Sequence, residues 1–134
     1  MALQHKHYLY CLMEREFRKT GEAVLTVGRT GAGLIKRMSQ YPNGSLMVCA
    51  IPVSAASLEA VEASVLACAR IAFRQRLDIG REYFEADVCA MVQLMYSVAG
   101  AHVPVGFDDG AMEKVDDPAW ELEVTKLVEE RANA

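Results

Sequence analysis

No stretch of this chain is long and apolar enough to cross a bilayer, although 52% of its 134 residues are hydrophobic, so a membrane partner is not expected. The opening residues, MALQHKHYLYCLMERE, lack a long apolar centre followed by a small-residue cleavage site. They do not read as a secretion signal, and a cytoplasmic, non-secreted protein is expected. The four cysteines, Cys11, Cys49, Cys68 and Cys89, contain no pair at zinc-ligand spacing, and His5, His7 and His102 form no ligand set. Lying in apolar segments, the cysteines read as buried reduced thiols, which fits a reducing compartment. No internal repeat or low-complexity tract is visible.

What is there has the size of one domain and enough apolar content for a proper core. Its charge is uneven. Residues 1–106 carry 11 Lys and Arg against 9 Asp and Glu, a net of +2, whereas residues 107–134 carry 3 against 9, a net of −6. The overall −4 therefore does not exclude nucleic acid, because the body is mildly basic. Arg70, Arg74, Arg76 and Arg81 cluster, as do Arg15, Arg18 and Lys19. Each cluster reads either as solvated surface or as a phosphate-binding patch, which needs only a few such side chains.

The segment Val24 to Tyr41, VLTVGRTGAGLIKRMSQY, organises the rest. Val24, Leu25 and Val27 are strand formers, and Gly28, Gly31 and Gly33 give a turn in which unusual backbone angles are tolerated. Thr30 is placed to cap a helix in which Leu34, Ile35 and Met38 fall at helical spacing before Pro42, Asn43 and Gly44 end it. On that helix Arg37 and Tyr41 are four residues apart and leave the same face, just beyond the strand end. A solvated cation beside a half-buried aromatic is the ordinary reading of such a pair.

Elsewhere, His7 to Met13 reads as a strand, Glu14 to Glu22 as a loop, and Glu22 to Gly28 as the antiparallel partner of the first strand, with Tyr10 and Thr26 in mid-strand. Leu46 to Val53 is a third strand whose Pro52 marks a strand end or a free edge. Ser57 is placed to cap a long helix with Leu58, Val61, Val65, Cys68, Ala72 and Phe73 facing the core and Glu62 at the rim. Asp87 caps a helix from Val88 to Ala99, closed by Gly100. The expected class is α/β in the α+β sense: a small three-stranded antiparallel sheet flanked by helices. Residues 1–100 form the main domain, 101–117 a linker, and 118–134 an acidic C-terminal helix opened by Asp117 and Pro118, with Trp120, Val124, Leu127 and Val128 as its apolar stripe.

Taken together these residues resemble a GIY-YIG nuclease domain of the shortened kind seen in viral, phage and mobile-element proteins. Tyr8-Leu9-Tyr10 stands at the family's first motif and Thr26-Val27-Gly28 at its second. Arg37 stands at the family's helical arginine, Tyr41 at the histidine or tyrosine four residues later, and Glu62 at the metal-binding glutamate. Arg81-Glu82-Tyr83-Phe84 resembles a block near the end of some shortened members. The likeness covers about His7 to Ala99. It departs from the pattern at Tyr8, where the family has glycine, and at Thr26, where it has an aromatic residue or lysine.

The resemblance implies a metal-dependent endonuclease that hydrolyses phosphodiester bonds, of DNA before RNA. Glu62 would hold one Mg²⁺ or Mn²⁺ ion, Arg37 would clamp the phosphate, Tyr10 would orient or deprotonate the attacking water, and Tyr41 would hydrogen-bond phosphate or water. Arg29, Arg70, Arg74 and Arg76 would contact nucleic acid. The hydroxyl of Thr26 carries no positive charge and does not titrate near neutrality, so one support of the reacting phosphate is weakened. Two other classes stand beside the enzyme: an inactive domain kept as a nucleic-acid-binding or structural viral module, located in host cytoplasm or nucleus, and an interaction protein docking through the Trp120 helix on a second copy or another chain.

Overall fold

The computed structural model describes residues 6–103. The expected C-terminal helix with Trp120, and most of the expected linker before it, lie outside these residues. A five-stranded sheet, antiparallel at every pairing, forms the middle layer. Its strands are β1 (Tyr8–Met13), β2 (Val24–Thr30), β3 (Leu46–Pro52), β4 (Arg74–Gln75) and β5 (Tyr83–Glu85), in the order β3-β1-β2-β5-β4. Four helices accompany it: α1 (Arg15–Thr20), α2 (Leu34–Met38), α3 (Leu58–Ala72) and α4 (Val88–Ala99). The fold is α+β.

The central three strands match the expected sheet, and β4 and β5 enlarge it to five. These two are too short to show a periodic pattern. Strand β1 lies between β2 and β3 with layers on both faces, so all six of its residues are buried and apolar residues need not alternate with polar ones. One face carries Leu9, Cys11 and Met13 with Leu25, Val27 and Phe84 into a large core with α3 and α4. The other carries Tyr8, Tyr10 and Leu12 into a small core with Leu34 and Met47, against which Met38 and Tyr41 pack. Pro52 is the last residue of β3, an edge strand, where its missing N–H is tolerated.

Several local expectations are corrected. The charged stretch after β1 holds a helix, α1, closed by Gly21 in the left-handed region at φ 77°. Helix α2 stops at Met38, so Tyr41 projects from the following turn rather than from the helix. Neither Thr30 nor Ser57 caps a helix through its side chain: the residue at the N-cap of α2 is Gly33, with φ 90°, and Ser57 makes no side-chain capping bond. Asp87 does cap, accepting from the Ala90 N–H at 3.0 Å. On α3 the buried stripe is Leu58, Val61, Val65, Leu66 and Ala69, whereas Cys68 and Ala72 are exposed. At 100° per residue Cys68 turns just past the edge of the face that Val61 and Val65 define, whereas Ala72 lies on that face but is the last residue of α3, beyond the last buried residue, Ala69. Of the cysteines, Cys11 and Cys49 are buried, Cys89 is half-buried and Cys68 is exposed.

Candidate active site

Helix α2 has five residues and too few internal hydrogen bonds to stand alone. It is fixed by Leu34, fully buried beneath it, a burial worth roughly 1.5–3 kcal/mol. That anchor sets Arg37 one turn away over the small core. The Arg37 Nε donates to the Tyr10 hydroxyl oxygen at 2.8 Å, and its Nη1 donates to Gln40 Oε1 at 2.7 Å. The guanidinium carbon also lies 5.9 Å from the centre of the Tyr10 ring, within cation–π range. The Tyr41 hydroxyl reaches the same Tyr10 oxygen at 2.8 Å, with the two rings edge-on. The structure thus brings Tyr10, Arg37 and Tyr41 together from β1, α2 and the turn after α2.

Tyr10 is opposite Gly28 in the β1–β2 register, and its ring lies across that glycine. A Cβ at position 28 would sit 2.5 Å from the Tyr10 hydroxyl and 2.6 Å from its Cζ. The missing side chain is what lets a fully buried phenol lie flat on β2 with its oxygen toward Arg37. Burial, then the hydrogen bond to Tyr10, push the Tyr41 phenol above its ordinary value. Tyr41 therefore keeps its proton, and either hydroxyl of the pair can donate to the other. The hydrogen bond to Tyr10 leads the effects that hold Arg37 more firmly protonated.

Thr26 is buried on the same sheet face, opposite Tyr83 of β5. Here the structure adds residues that the sequence did not single out. The Tyr83 hydroxyl donates to Glu14 Oε1 at 2.8 Å, across 69 residues of sequence, and Thr26 hydrogen-bonds the same phenol. Burial and the bond to Glu14 push the Tyr83 phenol up to about 12. The alternation in Tyr83-Phe84-Glu85, with Phe84 in the large core, is the signal that turns Tyr83 toward Thr26. Glu14 gives no such signal, because its position at the start of α1 depends on a helix that composition reads as a loop.

Strand β5 pairs only with Val24–Thr26 of β2. Where it stops, the Glu82 carbonyl accepts from the Val27 N–H at 3.0 Å, and Glu62 approaches from α3. The Glu62 side chain is 13% exposed and has Arg29 Nε at 3.7 Å from Oε1. Burial and repulsion from Glu82 push the Glu62 carboxyl up, against the pull of Arg29 and Arg37. Arg29 also approaches Glu59, at 4.0 Å. Among the described residues no three His, Cys, Asp or Glu side chains form a metal cage. A half-buried carboxylate already strained by a second one suits a divalent ion that keeps most of its waters, as Mg²⁺ does, and does not suit a fully protein-ligated ion.

The other expected nucleic-acid contacts lie elsewhere. Arg70 is exposed near the end of α3. Arg74 reaches Glu85 at 3.8 Å, and Arg76 is held by Asp78 at 2.8 Å and Glu85 at 3.0 Å. Comparison of the chain with family models, curated proteins and solved structures finds no match.

Proposed function

We propose that the protein is a metal-dependent endonuclease of the GIY-YIG kind, hydrolysing phosphodiester bonds of nucleic acid, DNA before RNA. The observation that carries this reading is the convergence of Arg37 Nε and the Tyr41 hydroxyl on the Tyr10 oxygen above Gly28. Arg37 donates to that oxygen, and with Tyr41 turned to donate as well the two would stabilise negative charge there.

In this reading Tyr10 orients the attacking water, and Arg37 and Tyr41 fix the position of its oxygen. The Nη2 of Arg37 takes part in neither of its two hydrogen bonds to Tyr10 and Gln40 and is available for a phosphate oxygen. Glu62 would hold the Mg²⁺ or Mn²⁺, which when bound neutralises charge on the phosphate. Tyr10 is fully buried under Arg37 and Tyr41, so the Arg37 fork has to turn toward the phosphate for water to reach Tyr10. Substrate binding and exposure of Tyr10 are then one event.

The same burial favours a second reading, a domain that binds nucleic acid without cutting it, with Glu62 engaged by Arg29. The experiment that separates the two is cleavage of labelled single- and double-stranded DNA and RNA with Mg²⁺ or Mn²⁺, run beside Glu62→Gln. Metal-dependent cutting lost in the variant is the expected outcome. Binding without cutting on every substrate, from folded protein, transfers the assignment to the binding module.

A further inference from the structure

The reacting cluster accounts for one phosphate, and a nucleic-acid strand has to be held on at least one side of it. The basic residues flanking β1 are better placed for this than the arginines after α3, where Arg74 and Arg76 face Glu85 and Asp78. An open groove of about 440 Å³ runs between α1 and the turn that follows Tyr41, lined by Arg15, Arg18, Lys19, Asn43 and Gly44. We infer that this groove binds a backbone phosphate of the same nucleic-acid strand, a few nucleotides along from the phosphate held at Arg37.

Its construction supports this. The Arg18 Nη1 donates to the Gly44 carbonyl at 2.6 Å, and the Arg15 backbone N–H donates to Ser45 Oγ at 3.1 Å. These bonds tie α1, which carries Arg15, Arg18 and Lys19, to the turn. The wall on the turn side is kept open by Gly44: its φ of +93° is in the left-handed region, and a Cβ there would lie 3.3 Å from the Arg15 stem. Arg15 is paired with Glu16 at 2.8 Å, with the two side chains 42% and 54% exposed. A pair so solvated is worth little and yields readily to a phosphate. Among the described residues no carboxylate lies within ion-pair distance of Lys19.

The position also fits. Asn43 and Gly44 follow Tyr41 by two and three residues, so the groove continues from the reacting cluster. Met13, at the α1 end of β1, is three residues from Tyr10, roughly 10 Å along a strand. One strand of duplex DNA advances about 3.4 Å per nucleotide along its axis, so the two places are roughly three nucleotides apart.

The inference rests on the nucleic-acid reading above, and the test distinguishes the two. Binding of a fluorescent DNA duplex is measured across a salt series for the full chain, the double variant Arg15→Gln/Lys19→Gln, and Lys19→Glu alone. Arg18 is left in place because its bond to Gly44 holds the turn. The double variant is expected to reduce the steepness of the log–log salt dependence by about 0.9, for the one phosphate that is no longer neutralised, and to raise KM. Lys19→Glu, at an exposed position, should weaken binding further than removal of the lysine charge alone would. A native chain that binds and cuts DNA, with the slope unchanged in both variants, overturns the groove and leaves the nuclease standing. A native chain that binds poly-glutamate peptide and no DNA or RNA overturns both and makes the groove a site for acidic protein segments.

Discussion

Arg37 donates through Nε to the oxygen of Tyr10 at 2.8 Å, and the two residues are held over Gly28 by separate elements, α2 and β1. The bond leaves the planar end of the guanidinium toward solvent and Gln40. If that end clamps a phosphate, Arg37→Ala removes an interaction that matters most as charge grows on the phosphate. The expected loss is about 10²–10³ in kcat, with the folded state kept, since Leu34 rather than Arg37 anchors α2. Arg37→Lys retains charge without Nε or the fork and should recover only a small part. Single-turnover cleavage with each variant checks this, and a kcat for Arg37→Ala within about threefold of the native value, against that expected loss, removes Arg37 from the reaction.

Gly28 tests the same arrangement from below. A methyl group there meets the Tyr10 oxygen at 2.5 Å, and Tyr10 is buried with nowhere to retreat except toward Arg37 and Tyr41. Gly28→Ala is therefore expected to cost about 1–3 kcal/mol of stability, the usual range for overpacking a core, and to displace the phenol from both partners. The combination Gly28→Ala with Tyr10→Phe should recover only a small part of the stability, because the oxygen at 2.5 Å is gone while the ring Cζ at 2.6 Å remains, and none of the activity. Urea denaturation of the two variants reads the first effect and a cleavage assay the second. Additive losses in stability would mean that the ring does not lie where the register puts it.

The α+β class, the three central strands, Asp87 as a cap and the span of α4 were legible in the sequence because each depends on local pattern: strand-forming runs, a glycine-rich turn, an acidic residue before an apolar helix. The pair Arg37 and Tyr41 was legible as spacing, although Tyr41 comes from a turn and not from a helix face, and Tyr10 joined them only through the resemblance. What was not legible depends on pairing distant in sequence. Strand β5 is three residues long and has identity only through its register with Val24–Thr26, so the Tyr83–Glu14 bond could not be read from either end. The stripe on α3 misled for a different reason. Cys68 and Ala72 continue a plausible apolar spacing from Val65, but Cys68 falls just outside the buried face of Val61, Val65 and Ala69, and Ala72 is the final residue of α3, past the last buried position.

Stability should fall at alkaline pH, and the phenols identify why. Burial and hydrogen bonding push Tyr41 and Tyr83 up, Tyr83 to about 12, from an unfolded value near 10. In the folded protein these groups hold their protons where the unfolded chain releases them. Their contribution is complete below about pH 10 and is lost as the pH rises toward the folded values. Denaturant midpoints measured at about pH 9, 10 and 11 are expected to decline, and Tyr83→Phe should make the decline shallower. Glu14→Gln should do so as well, since the Tyr83 proton then no longer faces a carboxylate. An equally steep decline in all three proteins would place its origin at other groups.

The acid side of the activity profile belongs to Glu62. Burial and Glu82 push its carboxyl above the ordinary glutamate value, and Arg29, 3.7 Å away, pulls it down. A divalent ion needs the carboxylate form, so activity dependent on Glu62 falls as pH drops through the folded value. That fall comes at higher pH than an exposed glutamate would give. Arg29→Gln removes the opposing pull, and the acid limb of kcat should move to higher pH, whereas Arg29→Lys should leave it nearly in place. Because Arg29 is also a candidate contact for nucleic acid, the profile is measured as kcat at saturating DNA and fixed excess Mg²⁺, so that weaker binding does not enter. A limb that stays fixed in Arg29→Gln assigns the acid-side titration to another group and separates Glu62 from the metal. A limb that moves ties α3 to the cluster on the opposite face of the sheet, through the gap that β5 leaves beyond Thr26.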